Sequence, residues 1–180
     1  MRLPGVFVVG CVVATLALAA GGARADSVHL YSYDPADATT RQAAGPLTFT
    51  VKKGLFHTTV LNLRSTEATA TAFVRRADEK ALGRNARAAA AAGALYEVEG
   101  VDDGAALISA FCPGASRAWM VFGPLRRNRD LTVLVVGAPK AGGPAALCRT
   151  LTFSFHGEWV LPPGRAFDPR DLEHSRYPGG

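Results

Sequence analysis

Polar and apolar residues alternate along most of the chain. Leu47, Phe49 and Val51 are interleaved with Thr48, Thr50 and Lys52, and a period of two belongs to a strand with one buried face. Strands are also predicted over 28–33, 57–63, 68–74, 96–99, 117–122, 131–136 and 150–155, with alternation again in 68–74 and 150–155. Residues 131–136 are apolar on both faces, which predicts a central strand. In 150–155, Leu151, Phe153 and Phe155 share the face expected to meet the core. Residues 34–45 are polar and turn-rich and predict a connection.

The period changes at Asp78. Residues 78–92 are rich in Ala, Arg, Glu and Lys, which favour helix. Asp78 is placed to cap that helix, Gly83 to weaken it and Gly93 to end it. A shorter helix is expected over 105–111, led by Asp102 or Asp103 and stopped by Cys112-Pro113-Gly114. The fold class is α+β and mainly antiparallel β. It is expected as a β-sandwich or partly closed barrel-like sheet with one helix near 78–92. Trp119, on a strand, is expected to be core rather than a stacking platform.

The two ends depart from this pattern. Met1 and Arg2 precede an apolar run over 6–20, and Ala23-Arg24-Ala25 has the small-x-small form of a cleavage site. This is the pattern of a secretory signal peptide. The run is short for a membrane-spanning helix, which needs roughly 20 residues. Val8-Val9-Gly10-Cys11 resembles a lipidation site, but the apolar run continues past Cys11. The chain therefore divides into a leader over 1–25, one globular domain over 26–161 and a Pro/Gly-rich tail over 162–180. The protein is expected in the periplasm or secreted, with no transmembrane segment after cleavage.

Composition changes the picture in two places. Hydrophobic residues make up 48% and charged residues 19%, which is globular. The net charge of +5 falls to +3 once Arg2 and Arg24 leave with the leader. So mild an excess, outside the cytosol, argues against a nucleic-acid partner and favours anionic ligands or surfaces. Of three cysteines, Cys11 lies in the leader. Cys112 and Cys148 remain as an even pair, expected to be a disulfide in an exported chain. Such a bridge contributes ~4 kcal/mol by restricting the unfolded chain.

Catalytic motifs are missing. The sequence holds no Gly-x-Ser-x-Gly, no His-Glu-x-x-His, no phosphate loop and no dinucleotide fingerprint. His156-Gly157-Glu158 has the His-x-Glu form of zinc deaminases without their Pro-Cys-x-x-Cys. No cofactor is implied. The candidate binding residues are Arg126, Arg127 and Arg129, which crowd the connection between two strands. Guanidinium groups hold phosphates, carboxylates and lipid headgroups. The alternative is a metal or acid–base site around His57, His156 and Glu158, residues near strand ends. His29 misses by one position the place of an amino-terminal copper ligand. Glu97 and Glu99 read as a solvated edge. The expected function is a non-enzymatic binding module for a small anionic ligand or an envelope protein; the rival is a small exported enzyme or metal-binding protein.

Overall fold

The computed structural model describes residues 27–54, 58–101, 103–140 and 142–161. The expected leader over 1–25, the Cys11 site, His57 and the tail over 162–180 lie outside them. Eight strands run in chain order around a closed antiparallel barrel. They are β1 (Ser27–Pro35), β2 (Leu47–Lys53), β3 (Thr58–Ser65), β4 (Ala70–Arg76), β5 (Ala94–Val98), β6 (Ala115–Phe122), β7 (Leu131–Pro139) and β8 (Ala146–Val160). Each strand pairs with its sequence neighbour, and β1 closes the ring on β8. Of the two layouts expected, the sheet takes the barrel.

Inward residues alternate with outward ones, as a barrel requires. Tyr31, Tyr33, Phe49, Phe122, Val133 and Phe153 are among those that fill the interior. Tyr33 sets its ring edge-on against Phe49 and Phe155, with centroids 6.0 and 5.8 Å away. An eight-stranded ring is narrow enough for side chains to pack across it.

Helices close one end. Residues expected as a plain connection instead form α1 (Ala38–Ala44) between β1 and β2. Asp37 caps it by accepting from the Thr40 N–H at 2.7 Å, and Gly45 ends it at a positive φ of 57°. Buried Ser65 donates to the Ala44 carbonyl at 2.6 Å, pinning the end of α1 to β3. α3 (Gly104–Phe111) links β5 to β6 and brings Leu107, Ile108 and Phe111 into the same core. The expected helix after Asp78 is found in two pieces that meet at Gly83: a 3-10 turn over Glu79–Leu82, then α2 (Gly83–Ala90). Leu82, Ala86 and Ala90 pack on the outer face of the barrel over Trp119, Val121 and Val136. Trp119 is thus core, but of this second, outer layer.

Cys112 and Cys148 lie at disulfide distance, with Cα atoms 5.4 Å apart, joining the end of α3 to β8. Among the described residues, no helix is long and apolar enough to cross a membrane.

Candidate functional site: the open end of the barrel

The end opposite α1 and α3 is where β2, β4, β6 and β8 finish and β1, β3, β5 and β7 begin. Its chemistry is set by parity. Lys53 continues the inward series Leu47, Phe49, Val51 on β2, and Ser27 and His29 continue that of Tyr31 and Tyr33 on β1. On β8 the inward series is Leu151, Phe153, Phe155, and unbroken alternation would turn Trp159 inward. It is broken by a bulge. Tyr33 pairs with Phe155 and Ser32 with Gly157, leaving His156 as the extra residue. One extra residue reverses the faces beyond it. Glu158 therefore points into the mouth opposite Tyr31, and Trp159 stands outside, 47% exposed.

Four side chains gather on the Glu158 carboxylate. His29 Nδ1 lies 2.7 Å and Lys53 Nζ 3.0 Å from Oε1. Arg127 Nε is 3.4 Å from Oε2. The Tyr31 phenol bonds to the same carboxylate and accepts in turn from Lys53. Burial alone would raise the Glu158 pKa. The hydrogen bonds from Tyr31, Lys53 and His29, with the Lys53 charge, outweigh burial and hold it down to about 2. The same contacts outweigh burial at Lys53 and raise its pKa. Burial raises the Tyr31 phenol, as Glu158 does, against the opposing pull of Lys53.

Because Glu158 is ionised, it can only accept, so His29 Nδ1 carries the proton between them. His29 Nε2 then faces the Ser27 hydroxyl at 2.8 Å. Ser27, His29 and Glu158 form a chain in the order hydroxyl, imidazole, carboxylate.

The arginine segment is a loop laid across this mouth rather than a free tip. Leu125 packs on the barrel core. The Arg126 backbone N–H bonds to the Tyr33 phenol, opposing the rise that burial gives that group. Asp130 accepts from the Phe155 N–H at 3.2 Å, at the step into the bulge. Arg127 reaches Glu158, while the side chains of Arg126 and Arg129 are exposed.

Of the rival site, His57 lies outside the described residues, and His156 and Glu158 turn to opposite faces of β8. His156 turns to the outer face, with Nδ1 2.8 Å from Asp34 Oδ2 and its ring stacked 6.0 Å from that of Trp159. Glu158 faces the opposite way, toward His29 and Lys53. Among the described residues, no group of three His, Cys, Asp or Glu side chains is arranged to hold a metal ion. Glu97 is tied across the outer face to Arg75 at 3.0 Å and Arg117 at 2.6 Å. No protein-family model, curated protein or solved structure matches the chain.

Proposed function

We propose that the protein is an exported, non-enzymatic binding module that takes a small anionic ligand at the open end of its barrel. The arrangement of the arginine loop carries this reading. Lys53 and Arg127 are anchored at the mouth on a single carboxylate, and Arg126 and Arg129 stand exposed on the loop that crosses it. The mouth and its loop thus carry these four cations against the carboxylates of Glu158 and Asp130, an excess of positive charge where a ligand would arrive. Cys112 and Cys148 at disulfide distance fit an oxidising compartment. Export itself rests on the leader pattern, and mass measurement of the protein secreted by its host should give an amino terminus at Asp26.

The binding claim is tested by thermal melts against inorganic phosphate, dicarboxylates, sugars, fatty acids and divalent metals. A ligand at 100 times its Kd adds about 2.7 kcal/mol, or roughly 5–11 °C in a chain of this size. The anions should raise the Tm, and Arg126→Glu with Arg129→Glu should weaken them at least tenfold. Unchanged affinity in that double variant would remove the site assignment.

One observation favours a second reading, an acyl-transfer enzyme. In the chain Ser27–His29–Glu158, the imidazole is placed to take the hydroxyl proton and the carboxylate to hold the imidazole. Lys53 weakens this arrangement, because its ammonium shares Oε1 and offsets the charge that would stabilise an imidazolium. Ester hydrolysis lost in Ser27→Ala would favour the enzyme; equal background rates in both proteins would end it.

A further inference from the structure

The barrel wall has a gap away from the mouth network. The β3–β4 ladder runs from Ser65 opposite Ala70 to Asn62 opposite Phe73 and stops there. Both strands continue, β3 to Thr58 and β4 to Arg76, but beyond that point they bond only to their outer neighbours, β2 and β5. The cause lies in β3. Leu61 is an extra residue against β2, where Thr50 pairs with Asn62 and Val51 with Val60. A bulge bends its strand, and this one sits where the ladder ends.

The splayed strands bound a cavity of about 400 Å³, with Thr59, Val60, Leu61, Asn62, Phe73 and Val74 in its lining. That size falls within the range of small-molecule sites, roughly 300–1,000 Å³. Its surface is chiefly aliphatic and aromatic, and Phe73 is left 42% exposed beside it. One polar group breaks this character. Asn62 is only 3% exposed, yet its Nδ2 has no hydrogen-bond partner. A buried amide N–H without an acceptor is costly and rare in folded proteins. Val or Leu would have suited a mere wall position.

We infer that this slit between β3 and β4 binds an apolar molecule that presents a carbonyl oxygen to Asn62 Nδ2. The apolar body lies along Val60, Leu61, Phe73 and Val74, and the carbonyl supplies the missing acceptor. Arg75, Arg76 and Glu99 complete the lining; Arg75 is tied to Glu97, and the opposite charges of Arg76 and Glu99 leave no net charge for the ligand to match. The ligand class is therefore a neutral acyl compound, an amide or ester with a short aliphatic chain. This site is independent of the anion site proposed at the mouth.

The test uses octanamide and methyl octanoate as probes, with octyltrimethylammonium as a chain of equal length lacking an acceptor. Binding is followed by isothermal titration and by the Asn62 side-chain amide resonance in the wild-type protein. The two carbonyl probes should bind and shift that resonance downfield, and the ammonium probe should not. Asn62→Leu should weaken the carbonyl probes at least tenfold and raise the Tm of the free protein, since it removes an unsatisfied polar group. Equal binding of all three probes, an unmoved Asn62 resonance, or Asn62→Leu binding like wild type would overturn the proposal. The resonance is read in wild type, so it decides the matter even if the variant folds poorly. Arg126→Glu with Arg129→Glu should leave octanamide binding unchanged, which separates this site from the mouth.

Discussion

Glu158 is the residue on which the open end depends. Its carboxylate accepts from His29 and Lys53 and pairs with Arg127. Its pKa is held at about 2, against an ordinary 4.5. A depressed carboxylate stabilises the fold above its unfolded pKa and loses that contribution as pH falls through the folded one. The Glu158 contribution is thus complete above about pH 5 and fades toward pH 2. Asp37 is also held at about 2, chiefly by hydrogen bonds from Thr152 and Thr40, so acid unfolding of the wild type reports both groups. Glu158→Gln separates them. Its Tm should fall below that of wild type at pH 7, and the difference should close as pH approaches 2. A difference that stays constant over that range would show that the carboxylate charge does not hold the network.

At the scale of elements, two devices decide where side chains go. The first is close packing at Gly137 on β7. A Cβ there would sit 2.1 Å from Cys112 Sγ and 2.8 Å from Cys148 Sγ. Gly137→Ala should therefore lower the Tm of the oxidised protein by several degrees. The loss should shrink when Cys112 and Cys148 are both replaced by Ala, because the sulfurs it meets are gone. Additive effects in that double-mutant cycle would contradict the contact. The second device is the bulge, and it marks the limit of what the sequence reveals. The strands were legible, several from a period of two and residues 131–136 from an apolar run, and the helix after Asp78 from its composition. Barrel and sandwich were not separable, because inward and outward faces alternate alike in both. α1 was hidden among polar residues, although Asp37 three residues before Thr40 and Gly45 at the end give its caps. The Glu158 network was missed because straight alternation in β8 puts Trp159, not Glu158, on the inner face. Lys53 was the available signal: it extends the apolar face of Leu47, Phe49 and Val51, and an inward lysine needs an acidic partner. That partner's identity depends on one extra residue at His156, which no periodicity displays.

For the whole molecule, closure of the barrel gives the two ends different work. α1 and α3 fill one end with Leu107, Phe111 and Ala44, all buried. The other end holds the charged network and the arginine loop. The Cys112–Cys148 link ties the helical end to β8, the strand that carries Glu158 at its far end. Replacing both cysteines by Ala should remove ~4 kcal/mol and lower the Tm by roughly 8–16 °C. The mouth network should survive below the new Tm, because no contact to Glu158 involves α3. The reading of the open end as an anion site is tested most directly at the arginines themselves. The Nε–H resonances of the oxidised protein would be followed at low salt during titration with inorganic phosphate and with succinate. Saturable shifts at Arg126, Arg127 and Arg129, lost at high salt, are predicted. Resonances that stay still on this loop, or shifts confined to Arg75 and Arg117 on the outer face, would contradict it.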